Sequence, residues 1–131
     1  MTPRFLLDTH VVVHWLSTPK KLSTDQLRVM REAHRQGETV ALSAYSLVEI
    51  VMLAQGSRKI SGIDHIFEEL ETNPMFRILP ITIPIAIDAG ALNLLRDPAD
   101  RTIVATARVH GLRLLTSDLR IISSKLVSFI D

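Results

Sequence analysis

Short apolar runs recur along this chain, each too brief for a helix and each followed by a longer stretch with helical spacing. Residues 4–7, 39–42, 77–81 and 113–116 read as buried strands, with 126–129 as a short fifth. Between them lie the helical stretches. Residues 11–16 form a first short one. Ser23 followed by Gln26 has the form of a capping box, opening a helix to about Gln36 with Leu27, Met30 and Ala33 inward and Gly37 as its stop. Ser43 or Ser46 caps a helix running to about Gln55 before Gly56, and residues 63–71 place Ile63, Ile66, Phe67 and Leu70 on one face. Pro84 suits the start of a helix over 85–95, and Asp97-Pro98-Ala99-Asp100 opens another that runs to His110 and closes at Gly111. Strands alternating with helices imply βαβ units and a parallel sheet covered on both faces. The expected fold is therefore α/β: a three-layer α/β/α sandwich around a mostly parallel sheet of four to five strands. At 131 residues the chain fits one domain spanning 1–131.

In such a sheet, functional groups gather at the carboxyl ends of the strands. Four carboxylates fall there. Asp8 ends the first strand, and Glu49 lies about one turn into the helix after the second. Asp100 stands in the first turn of its helix, and Asp118 follows the fourth strand after Thr116-Ser117. Each has an ordinary reading on its own. Asp8 and Asp118 could close turns, and Asp97-Pro98-Ala99-Asp100 could be no more than a helix start. Glu49 is harder to dismiss, because Leu47-Val48-Glu49-Ile50-Val51-Met52-Leu53 offers no polar stripe in which to solvate it. Together, four carboxylates on one edge repel each other unless a cation neutralises them. Oxygen donors suit hard divalent ions, so Mg²⁺ or Mn²⁺ is expected. His10 and His14 near Asp8 offer a second, transition-metal possibility, whereas Asp88 reads as solvated or partner-facing and His34, His65 and His110 as surface residues.

Absences narrow the chemistry further. The chain has no cysteine, which removes thiolate nucleophiles and Cys-ligated metals and fits a reducing cytoplasm. Its N-terminus reaches Asp8 after only two leucines, far short of a signal-peptide apolar region. There is no phosphate-binding Gly-rich loop before Lys-Ser/Thr, no G-x-G-x-x-G and no G-x-S-x-G elbow. A net charge of +1 carries no whole-chain bias toward polyanions, so any such partner must be held locally.

The residues that carry the acids also carry a resemblance. Phe5-Leu6-Leu7-Asp8-Thr9-His10 with Trp15-Leu16, Ser43-Ala44-Tyr45-Ser46-Leu47-Val48-Glu49-Ile50, Asp97-Pro98-Ala99-Asp100-Arg101-Thr102-Ile103-Val104-Ala105-Thr106-Ala107 and Leu114-Leu115-Thr116-Ser117-Asp118 occur in that order. The set resembles a PIN domain, and more narrowly the VapC-type toxins of bacterial toxin–antitoxin pairs. The resemblance implies that Asp8, Glu49, Asp100 and Asp118 hold one or two Mg²⁺ or Mn²⁺ ions for hydrolysis of RNA. It also implies that Thr9 and Thr116 support them by hydrogen bonds, and that the chain is a homodimer with a cognate antitoxin. Asp97 matches no family position and reads as the helix cap. Arg58, Lys59 and Arg101, with Arg96, Arg108 and Arg120, are available to hold an RNA backbone. Two rival functions share these residues: an inactive PIN-like interaction module, and a metal-dependent phosphohydrolase of small phosphate esters.

Overall fold

The computed structural model describes residues 2–56 and 62–131. Arg58 and Lys59, candidate RNA contacts by sequence, lie outside the described residues. The chain runs β1 (Phe5–Leu7), α1 (Thr9–Ser17), a 3-10 turn (Pro19–Lys21), α2 (Thr24–Gln36), β2 (Val40–Ser43), α3 (Ala44–Gln55) and α4 (Ile63–Thr72). It continues through β3 (Phe76–Leu79), α5 (Ile83–Ala91), α6 (Pro98–His110), β4 (Arg113–Leu115), α7 (Leu119–Ser124) and β5 (Phe129–Ile130). The five strands form one sheet in the order β3-β2-β1-β4-β5, and every pairing is parallel.

Strand periodicity explains the layers. Side chains alternate across a strand, so neighbours in sequence serve opposite faces. Leu6 pairs in register with Ala41 and Leu114, and all three face the helices α5, α6 and α7. Leu7 pairs with Leu42 and Leu115, which face α1, α2 and α4. Leu6, Leu7, Leu42, Leu114 and Leu115 are all fully buried, each worth about 1.5–3 kcal/mol of transfer free energy. That double burial is what makes the runs continuously apolar.

Local signals set the helix ends. Ser23 and Gln26 form the reciprocal capping box at α2, which stops at Gly37 with φ 67°. Ser43, rather than Ser46, caps α3. Gly111, with φ 66°, closes α6 in the left-handed region that a side chain disfavours.

Four details differ from the sequence expectation. The third strand stops at Leu79, since Pro80 has no N–H to continue the ladder. Helix α5 ends at Ala91, and a turn then buries Leu92 and Leu95. The fifth strand lies later than residues 126–129: Leu126 and Val127 pack on the core, and pairing begins only at Phe129. Helix α7 has no counterpart in the apolar pattern. It exists because Asp118 caps it, accepting the Arg120 N–H at 2.9 Å.

Candidate metal centre

The chain builds β1, β2 and β3 outward in one direction from β1, then returns to add β4 and β5 on the other side. The order therefore reverses at β1, and the crevice at the carboxyl ends of β1 and β4 is where such sheets bind ligands. Asp8 sits at that point. Its N–H donates to the Leu115 carbonyl at 3.0 Å, which extends the β1–β4 ladder and fixes the Asp8 backbone beside the end of β4. Thr116 is held in the same way, its N–H donating to the Ile130 carbonyl at 3.1 Å.

A cleft of about 470 Å³ opens at this edge, lined by Asp8, Thr9, His10, Glu49, Met52, Leu53, Gly56, Asp97, Asp100, Asp118 and Arg120. All four carboxylates expected from the sequence thus line a single cleft. They come from the ends of β1 and β4 and from helices α3 and α6. Asp8, Asp97 and Asp118 also cap α1, α6 and α7, accepting N–H groups of Thr9, Ala99 and Arg120. The turn-and-cap reading and the site reading are one geometry: α1 and α7 begin directly after β1 and β4, and α6, which follows α5, begins at the same edge. Their N-termini turn partial positive charge toward it. Asp97 is a cap as expected, and it is a fifth carboxylate of the cleft as well.

The supporting hydrogen bonds are specific. Buried Asp8 accepts the Thr9 N–H at 2.8 Å on Oδ1 and the Thr116 hydroxyl at 2.7 Å on Oδ2. Thr116 Oγ1 in turn accepts the Asp118 N–H at 3.1 Å, so one buried hydroxyl links two of the acids. Thr9 donates to Glu49 Oε1 at 2.5 Å. Thr9 Oγ1 also lies 2.9 Å from Ser46 Oγ, and with its single proton committed to Glu49 the donor of that pair is Ser46. Ser46, fully buried, is a supporting residue that sequence reasoning misses. Its signal is its place three residues before Glu49, on the same helix face. His10, a ligand candidate by sequence, has a bracing role instead. Its Nε2 accepts the Ser117 N–H at 3.2 Å and its Nδ1 lies 3.4 Å from Asp8 Oδ2, so it ties α1 to the loop carrying Asp118.

Burial and neighbouring charge set the protonation of the acids. Burial, then the charges of Asp118 and Asp97, push the Asp100 carboxyl up to about 6. Burial raises Glu49 as well, against the Thr9 hydrogen bond and with Asp8 and Asp97 adding to it. Burial also acts upward on Asp118, but hydrogen bonds and charge from Arg120 outweigh it and hold Asp118 low. Arg120 itself is raised by Asp118. It reaches Asp118 Oδ2 at 3.1 Å and Asp100 Oδ2 at 3.6 Å, with its side chain 72% exposed. The other basic candidates lie elsewhere: Arg101 donates to the Leu95 carbonyl, Arg108 pairs with Asp88 at 2.9 Å, and Arg96 is exposed.

Helix α3 departs from the expectation drawn from its apolar surroundings. Apolar residues on every side do not bring burial on every side: Val48, Val51, Met52 and Leu53 are exposed, and only Ser46 and Ile50 are buried. Glu49 sits between the two faces, half-buried at the cleft wall.

Residues 5–124 match the family model described as PIN domain. The chain belongs to the PIN domain family. This PIN domain is 34% identical over 122 residues to Ribonuclease VapC22 of Mycobacterium tuberculosis, covering 92% of this chain and 91% of the relative. In fold it is similar to FitAcB from Neisseria gonorrhoeae, with a TM-score of 0.71 at 24% identity over 97% of this chain and 96% of that one. It is likewise similar to a toxin–antitoxin complex from Klebsiella pneumoniae, with a TM-score of 0.67 at 18% identity over 96% and 95%. Among the described residues no helix is long and apolar enough to cross a membrane.

The donor set of this PIN domain fits a hard divalent ion. It consists of carboxylate oxygens, and the chain has no sulfur ligand from cysteine. As the side chains stand, no three His, Asp or Glu groups among the described residues are gathered closely enough to hold an ion. Arg120 lies among the acids instead.

Proposed function

We propose that residues 1–131 form a single nuclease domain, an Mg²⁺- or Mn²⁺-dependent endoribonuclease that serves as the toxin of a toxin–antitoxin pair. One observation carries the reading: Asp8, Glu49, Asp100 and Asp118 line one open cleft at the switch point of a parallel sheet, where burial and, after it, the neighbouring acids raise the pKa of Glu49 and Asp100. The 34% identical relative is a ribonuclease by name, which supports RNA as the substrate. The similar Klebsiella pneumoniae structure is a toxin–antitoxin complex, which supports an antitoxin partner. The exposed apolar face Val48, Val51, Met52 and Leu53 beside the cleft suits a protein surface. A second apolar face on α5, with Ile83 and Ile87 more than two-thirds exposed, suits a second copy of the chain.

The four carboxylates would hold the ion, which supplies positive charge to activate water and to offset the charge that develops on the phosphate oxygens. The chain's own residues do the rest. Thr9 and Thr116 fix the Asp8 carboxylate in the cleft wall. Glu49 is the favoured proton acceptor: Thr9 occupies Oε1, leaving Oε2 to take a proton, and burial has raised its basicity. Met52 and Leu53 give the cleft an apolar lip for the nucleoside side of the substrate. Asp8→Asn and Glu49→Gln are expected to abolish Mn²⁺-dependent cleavage of a single-stranded RNA while circular dichroism stays native. Wild-type cleavage by both variants would refute the metal-nuclease reading, and cleavage of nucleoside monophosphates without RNA cleavage would favour the phosphohydrolase instead.

A further inference from the structure

The cleft already contains a cation of its own. Arg120 Nε lies 3.3 Å from Asp118 Oδ1, and Nη2 lies 3.1 Å from Asp118 Oδ2 and 3.6 Å from Asp100 Oδ2. The guanidinium thus spans a carboxylate from the β4–α7 loop and one from α6. Asp118 Oδ1 also accepts the Arg120 backbone N–H, so both Asp118 oxygens are engaged by one residue. An ion that needs those lone pairs must take them from Arg120. The arginine side chain is 72% exposed, so among the described residues these ion pairs rather than packing hold it. With Arg120 in this position, no three His, Asp or Glu side chains among the described residues are placed to hold an ion.

We propose that the Arg120 guanidinium and a divalent ion are alternative occupants of the Asp100–Asp118 cleft, so that metal entry expels Arg120 and draws the carboxylates together. This rests on the metal-nuclease reading and adds to it a counter-ion exchange built into the chain. Without metal, Arg120 offsets part of the acidic charge. With metal, it is released to the rim, still tethered two residues beyond Asp118.

The test uses the full chain and the metal alone. In a ¹⁵N spectrum the Arg120 Nε–H signal, assigned by its loss in Arg120→Lys, should show exchange slowed by its hydrogen bond to Asp118. Titration with Mg²⁺ should move it to the free-arginine position, with the same half-saturation point as the Asp8 and Asp100 amide signals. Exposed ion pairs are worth roughly two- to fivefold in an equilibrium constant, so Arg120→Gln should bind Mn²⁺ about two- to fivefold more tightly by calorimetry, with Arg120→Lys between. An Arg120 Nε–H signal unmoved at saturating Mg²⁺, or equal Mn²⁺ affinity in Arg120→Gln, overturns the exchange while leaving the metal site standing. Failure of the wild type to bind either ion overturns both.

Discussion

Asp100→Asn is expected to raise the melting temperature of the metal-free protein although it removes a proposed metal ligand. Asp100 is pushed from an ordinary 3.8 to about 6, first by burial and then by the charges of Asp118 and Asp97. Between those values the folded chain keeps a proton that the unfolded chain has lost, so stability falls as pH rises through the window and the loss is complete above about pH 6. A shift of roughly two units corresponds to at most about 3 kcal/mol at 1.36 kcal/mol per unit. The side chain is 13% accessible but faces an open cleft. Solvent screening there leaves about 1–2 kcal/mol. For a chain of this size that is a gain of about 4–7 °C, at roughly 2.1 cal/mol/K of unfolding entropy per residue. Asparagine keeps an oxygen for Arg120, so the pairing geometry survives. Differential scanning fluorimetry with a chelator at pH 7.5 should show the gain, and at pH 5 the gap should largely close because wild-type Asp100 is then mostly protonated. Excess Mg²⁺ should reverse the order, since ion bound at 100 times its Kd stabilises the wild type by about 2.7 kcal/mol and the variant by much less. A variant that melts at or below the wild type in chelator at pH 7.5 would show that neither burial nor repulsion penalises the Asp100 charge.

Three further substitutions test the scaffold around the site. Thr116→Val should cost about 1–3 kcal/mol in urea unfolding, because it strips a hydrogen bond from buried Asp8 and leaves the Asp118 N–H unpaired. Ser23→Ala should cost about 1 kcal/mol by the same measurement, through loss of the capping box of α2, and should leave metal binding unchanged. Gly111→Ala should cost about 1–2 kcal/mol, since φ 66° strains a side chain even though no neighbouring atom lies within 4 Å of an added Cβ. A loss for Gly111→Ala below a few tenths of a kcal/mol would mean that the end of α6 relaxes.

The three central strands, β1, β2 and β4, were legible because they are buried on both faces. Leu6-Leu7, Val40-Ala41-Leu42 and Leu114-Leu115 have no solvent face on which to alternate, so continuous apolar runs mark them. The helix ends at Gln36 and His110 were legible because Gly37 and Gly111 adopt a backbone conformation that other residues avoid. Helix α7 was not, because six residues are too few to show a period and its start depends on Asp118. Nor was the exposure of α3, since hydropathy records what a side chain prefers and not which neighbour the fold provides.

By itself the sequence determined the parallel α/β class, the strand-and-helix order and the acids that end up at one edge. Parallel strands all point the same way, so the residues just after each of them emerge on the same side of the sheet. Tertiary structure alone decided how those acids are held. Thr116 links Asp8 to Asp118 through one hydroxyl, Ser46 backs Thr9, and His10 reaches Ser117 across 107 positions. Only the folded chain puts Arg120 between Asp118 and Asp100, where a basic residue that sequence offered to RNA faces the acids instead. Hydrogen bonds and ion pairs act over about 3 Å, and such distances exist only once strands far apart in sequence lie side by side.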